Sequence, residues 1–386
     1  MIEEIKEFKD FKYKVDNNEV TIITYLGEDE NLKIPRKIRG KKVTSIEARA
    51  IWFSKELRYL TIPDTVNNLE GLKSSYNLVS IKVDENNKNY TDKDGVLFTK
   101  DEKVLITYPR KKKGFSYVIP DTVTRIEKCA FSNCRLRKII IPSGVTSIEK
   151  FAFSDSKLKE ITISDTVMNI GREVFSSCEN LLDIKVDKNN KNYADKDGVL
   201  LTKDEKVLIK YPIGRMESVY TIPDTVTSIG EWAFSESKLM FIENLDKVTK
   251  IGENAFSNCG NLRYVELSEL LKVIESWVFY GCANLMNITI PESVTTIKDN
   301  AFGCCFSFTS IKIPDSVTNI EYDAFHTCLN LRNIEIPQSV KSIGNNAFTD
   351  CDKMIVYGEE NSYVETYAKE NSIPFKPIKK IVAHIA

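Results

Sequence analysis

Apolar residues return along this chain at one long, fixed interval. Steps of 22 or 23 residues align most of it to a single pattern, I-P-x-x-V-T-x-I-x-x-x-A-F-x-x-C-x-x-L-x-x-I-x. Copies begin at Ile34, Ile62, Ile119, Ile141, Ile163, Ile222, Asn244, Leu267, Ile290, Ile313 and Ile336. Such a period marks a repeat solenoid, because one unit cannot bury its own apolar face and must stack on its neighbours. In the last copies, Ile334 and Ile336 alternate across Glu335, the two-residue period of a strand with one face inward. Pro337 removes a donor and ends the pairing. Val340 and Ile343 return to the core, and Ala347-Phe348 predicts a short helical turn whose ring fills the space between layers. With strands of adjacent coils ~4.8 Å apart, about eleven coils predict a rod roughly 50 Å long, mainly β with short helical turns.

Two stretches break the rhythm. Ile81 to Pro109 recurs at Ile184 to Pro212, 103 residues later, with four differences. Within each copy two apolar runs flank a four-residue polar turn, Lys100 to Lys103 in the first, which is the layout of a β-hairpin. Both ends of an open stack also need closing. At the start FKYKV, DNN and EVTIITYL read as a hairpin cap; at the end Ser362-x-x-Glu365 is a capping box that opens a helix, with Phe375 folding back onto the last coil. The expected organisation is an N-terminal hairpin cap over 1–33, a solenoid of about eleven coils over 34–357 with hairpin inserts at 84–117 and 187–220, and a cap helix and tail over 358–386.

The repeat unit resembles the bacterial BspA-type leucine-rich repeat family, whose units read L-x-x-I-x-I-P-x-x-V-x-x-I-x-x-x-A-F-x-x-C, over about residues 30 to 357. The resemblance implies a curved right-handed coil with a parallel sheet along its concave face, inserts and tails of the kind found here, and a function in binding other macromolecules. It transfers no particular partner.

Seven of the nine cysteines, Cys134, Cys178, Cys259, Cys282, Cys305, Cys328 and Cys351, share one repeat slot, with Ser156 and Ser237 standing in for it in two other copies. Stacked side chains point the same way, whereas a disulfide wants Cβ atoms at ~3.8 Å and turned toward each other. A straight column also cannot converge on a tetrahedral zinc ion. The expectation is therefore a ladder of buried free thiols serving as small apolar fillers, which suits a reducing compartment or an anaerobic habitat.

The chain carries 54 basic and 55 acidic side chains in 386 residues, a balance that argues against a nucleic-acid surface. The basic run Arg110 to Lys113 reads as a solvated loop. The N-terminus MIEEIKEFKDFKYKV has no apolar core of about seven residues, and no run approaches the ~20 apolar residues of a membrane helix. On that reading the chain is cytoplasmic if Met1 is its native start, whereas members of the resembled family are often secreted or on the cell surface.

Catalytic signals are sparse. The two histidines are His326, two residues from Cys328 and read as a surface histidine, and His384 in the tail. No phosphate-binding glycine loop, zinc-protease or nucleophile-elbow motif is present, so the reading is non-enzymatic, with no metal and no cofactor expected. Binding is better supported. Residues between the inward Leu and Ile of each strand face outward. In the middle copies they would bring Met240, Phe241, Arg263, Tyr264 and Met286 into one apolar and aromatic patch, with Glu243 and Glu266 side by side and open to a basic group or cation; Tyr59 is a further exposed aromatic candidate. Three readings stand open: a protein-binding scaffold of adhesin-like character, an intracellular adaptor, and a carbohydrate-binding module whose aromatics stack on sugar rings. A protein partner is the expected ligand and carbohydrate the alternative, without nucleic acid or membrane insertion and with a monomer favoured.

Overall fold

The computed structural model describes residues 5–69, 72 and 75–378, so His384 lies outside the described residues. The chain divides into two compact units at Tyr193/Ala194. Each is a β-solenoid of stacked coils joined by parallel strands, and Tyr363–Glu370 is the single helix among the described residues.

Most of the described coils contribute two short strands, and where one is missing an isolated bridge, as at Asn68 and Asn287, takes its place. The front strand ends at the Ile-Pro pair and the lateral strand is the V-T-x-I segment, where the repeat pattern showed only a return to the core. In the first unit one front sheet runs Ser116–Val118, Lys138–Ile140, Glu160–Ile163, Asp183–Val186, in parallel register with Ile139 opposite Ile161 and Ile161 opposite Ile184. Lateral strands are two residues long, as in Arg125–Ile126, Ser147–Ile148 and Asn169–Ile170. The threonine slot has a role here: Thr146 donates both its amide (2.8 Å) and its hydroxyl (3.2 Å) to the Thr124 carbonyl of the coil before, and Thr249 repeats this on Thr227 at 2.9 and 3.2 Å.

On the third side the expected helical turn is instead a chain of β-turns. The residue before the small Ala-slot residue and the residue before the cysteine slot both have positive φ: Cys129 and Asn133, Trp232 and Glu236, Asn254 and Asn258, Cys304, Thr327. Left-handed residues stop a helix from propagating. They also turn alternate amides toward the next coil. The amides of Ala130, Ser132 and Cys134 bond back within their own coil, while those of Cys129, Phe131 and Asn133 donate to Lys150, Ala152 and Ser154 of the next.

Inside, each unit carries an aromatic spine. Tyr108, Phe131, Phe153 and Phe175 stack in the first, and Tyr211, Phe234, Phe256, Phe279, Phe302, Phe325 and Phe348 in the second, with ring centroids 5.2 to 5.7 Å apart. The duplicated hairpins are built into this plan. Val96–Thr99 pairs antiparallel with Val104–Thr107, which then joins the lateral ladder beside Arg125–Ile126, and Tyr108 takes the phenylalanine place in the spine.

All nine cysteines are free. The slot cysteines are buried, and they do more than fill space. Cys178, Cys259, Cys282, Cys305, Cys328 and Cys351 each donate Sγ–H to a spine carbonyl of the coil before, Phe153, Phe234, Phe256, Phe279, Phe302 and Phe325, at 3.1 to 3.3 Å. A hydroxyl of similar size can take the same place, which accounts for Ser156 and Ser237.

The ends are closed as capping chemistry requires. Phe11–Asp16 and Glu19–Tyr25 form an antiparallel hairpin whose second strand pairs parallel with Lys41–Ile46. At the other end Ser362 Oγ accepts from the Glu365 amide at 3.2 Å while Glu365 accepts from the Asn361 amide at 2.7 Å. Tyr367 closes the spine against Phe348, and Phe375–Pro377 pairs parallel with Ile355–Gly358. Tyrosine hydroxyls finish the lateral ladders: Tyr363 accepts from the Ile343 amide, Tyr193 from Ile170 and Tyr90 from Leu69.

Two outcomes follow. Phe279→Ala removes a ring stacked on both sides and should destabilise by about 3–5 kcal/mol, whereas Cys282→Ser, which can retain the carbonyl bond, should cost under about 1.5 kcal/mol; denaturant midpoints of the two variants check the order. Burial pushes the Cys134 thiol up to about 12 and the Cys259 thiol up to about 11 from an ordinary 9.0. These thiols stay protonated when folded and ionise from about pH 9 when unfolded, so the unfolded state holds fewer protons in that window and stability must fall as pH rises from about 9 toward 11–12. The decline should be shallower in a Cys259→Ser variant, measured as denaturant midpoint against pH.

Candidate interaction face

The front strands of the second unit are positioned by their inward residues. In Phe241–Glu243 and Tyr264–Val265 the buried Ile242 and Val265 lie opposite one another, so their flanking side chains point to solvent in register. Val219 pairs with Phe241, Phe241 with Tyr264, and Tyr264 bridges to Asn287 beside Met286. The first three of this column are apolar and open, Val219 41% exposed, Phe241 36% and Tyr264 45%, and Met286 in the column beside it is 53% exposed. Met240, Arg263 and Met286 form the adjoining column, tied by the Arg263 amide to the Met240 carbonyl (3.0 Å) and the Met286 amide to the Arg263 carbonyl (3.3 Å). Met240 is half-buried and Arg263 exposed.

Glu243 and Glu266 are both exposed on the far edge, and the register of their strands sets them on neighbouring coils. Glu243 accepts a hydrogen bond from the Thr221 hydroxyl at 3.3 Å. Among the described residues no group of three or more His, Cys, Asp and Glu side chains could hold a metal ion. Tyr59 belongs to a different sheet, Asn31–Lys33, Tyr59–Ile62, Ser80–Val83, where it lies opposite Asn31 and Ser80.

Val219 extends the patch and is not among the sequence candidates. Its strand, Val219–Thr221, follows a hairpin and begins inside the range 187–220 expected for the insert. The signal was available, since Val219 stands 22 residues before Phe241.

The first unit supplies a contrast on the same backbone. Its front column reads Ser116, Lys138, Glu160, Asp183, with Lys138 and Glu160 ion-paired at 3.2 Å. That one column is polar and partly ion-paired in the first unit and aromatic in the second, while the positions flanking it in the first unit expose Phe115, Val118, Ile140 and Leu182.

Two further sequence expectations change. Arg110, placed in a solvated loop, is buried, its guanidinium 5.7 Å from the Trp52 ring and 4.8 Å from that of Tyr76; flat aromatic faces hold the cation out of water. His326 is half-buried, and its sulfur neighbour is Cys304, at 3.8 Å, rather than the inward Cys328.

A solenoid of parallel-strand coils with a phenylalanine spine and a thiol ladder defines a leucine-rich repeat protein. The chain belongs to the BspA type leucine rich repeat region family, whose model matches it in six copies over residues 111–196, 215–330 and 295–373. No curated protein matches the chain. Among solved structures it is similar to a leucine rich cell surface protein from Faecalibacterium prausnitzii, at 24% identity and a TM-score of 0.57 over 95% of this chain and 97% of that one. It is also similar to the pneumococcal vaccine antigen PcpA (19% identity, TM-score 0.57, 98% and 99% covered) and to a leucine-rich repeat protein from Eubacterium ventriosum (20%, 0.54, 89% and 93%). At these identities the likeness is one of fold.

Proposed function

We propose that the chain is a non-enzymatic interaction protein that binds a protein partner through the front-sheet face of its second unit. The observation that carries this reading is the in-register run Val219, Phe241, Tyr264 with Met286 beside it, where the matching column of the first unit holds Ser116, Lys138 and Glu160. Open apolar columns rimmed by Arg263, Glu243 and Glu266 have the anatomy of an interface, an apolar and aromatic centre with a polar edge. The surface-protein and antigen descriptions of two structural neighbours support an adhesin-like setting for that role.

A photo-crosslinking side chain placed at Phe241 or Tyr264 should capture the same protein, and one placed at Lys250 or Asn319 on the lateral ladders should not. The double variant Phe241→Ser, Tyr264→Ser should keep its circular dichroism spectrum and weaken binding by about 2 kcal/mol or more, roughly thirtyfold in Kd. Undiminished binding by that variant would remove the site from this face. Capture of a glycan that depends on Tyr264 would transfer the role to carbohydrate recognition.

A further inference from the structure

On the turn side of the second unit, Tyr280, Gly303 and His326 occupy the same slot in three successive coils, 23 residues apart. The middle place holds no side chain. A Cβ at Gly303 would lie 2.5 Å from His326 Cε1 and 2.9 Å from Tyr280 Cδ2, so the two rings close over the gap from either side, with centroids 5.8 Å apart. Cys304, the next residue, sits in that closure. Its amide donates to the His326 carbonyl at 2.9 Å, and its half-buried Sγ is 3.8 Å from His326 Nε2.

The tautomer is set by the third contact. His326 Nδ1 is 2.9 Å from the Asp323 carbonyl oxygen, which can only accept, so Nδ1 carries the proton and Nε2 of the neutral ring is left as an acceptor facing the thiol. Interaction with the same sulfur, ahead of partial burial, pushes the Tyr280 phenol above its ordinary pKa. Trp277 packs on Tyr280 at 4.7 Å and fixes it. A thiol, a base aimed at it, and a carbonyl orienting the base form the arrangement that activates a cysteine nucleophile.

We infer that Cys304 is a covalent modification site, a thiol that His326 activates for exchange with low-molecular-weight disulfides. Cys304 sulfur attacks one sulfur of the small disulfide, a new S–S bond forms, and the old one breaks. The thiol proton passes to His326 Nε2 and from there to the departing thiolate. Cys304 is oxidised, half of the small disulfide is reduced, and an added thiol reverses the step. The slot cysteines are set apart by burial. Cys129 is the other half-buried thiol and serves as an internal control.

The full native chain is treated briefly with dithiodipyridine, and each cysteine is assigned by peptide mass spectrometry. Cys304 should be modified first and the slot cysteines only after unfolding. His326→Gln should slow Cys304 by at least about tenfold, leave Cys129 and the thermal midpoint unchanged, and be partly rescued by added imidazole, a response no purely structural histidine would give. Cys304 reacting no faster than Cys129 in the native chain would overturn the inference. So would a His326→Gln variant whose Cys304 rate stays within about twofold of the native one.

Discussion

A coil of this protein cannot satisfy its own backbone. Front strands of two to four residues and lateral strands that, outside the hairpins and the N-terminal cap, have two are too short to persist alone, and their amides and carbonyls pair only when another coil lies above or below. The turn side follows the same rule, with every second amide given to the neighbour. That alternation requires two left-handed residues per coil, each at a conformational cost of roughly 1–2 kcal/mol. The bonds they redirect would otherwise leave buried amides unpaired, at roughly 1–3 kcal/mol apiece. Register between coils is thus the constraint from which the spine, the thiol ladder and the surface columns all derive.

That dependence decides what could be read in advance. Slots whose side chains face the shared interior recur because the interior recurs, so Ile, Val, Ala-Phe and Cys were legible from their spacing. The capping box was legible because its chemistry is local to Ser362 and Glu365. The lateral ladder was missed because a two-residue strand shows no alternation of its own. The left-handed positions were missed because Asn, Asp and one glycine, Gly281, are interspersed there with Cys, Trp, Phe, Glu, Ser and Thr, so no single residue type marks the slot. Only the coil above, by accepting their amides, explains them. Arg110 failed for the opposite reason, since a buried arginine between rings looks like any other charge in a basic run.

The candidate face was half legible. The outward positions of Phe241 and Tyr264 follow from the strand period, but their continuity with Val219 depends on knowing that the coil after a hairpin resumes the same register. Once the register is known, the two units become a controlled comparison. Backbone pairing is indifferent to what projects from the sheet, so Ser116-Lys138-Glu160 and Val219-Phe241-Tyr264 are equally compatible with the fold. Packing therefore offers no reason for the aromatic column, and an exposed aromatic column that packing does not require is the part of the surface most readily ascribed to a partner.

The same reasoning extends to slots that the stack does constrain. In the column of each unit that holds Ser132 and Ser154, or Ser235 and Ser257, the residues are small and polar, and Ser154 Oγ donates to Ser132 Oγ at 3.1 Å. Placing Tyr280 and His326 in that column is sterically permitted only because Gly303 between them has no side chain. Three departures from one slot, each dependent on the others, preserve the fold while assembling a thiol, a base and a phenol that no single coil contains. In a solenoid, chemistry of this kind comes from differences between coils. Neighbours at the repeat spacing, here Cys304 and His326 from adjacent coils, meet more closely than neighbours along the chain such as His326 and Cys328.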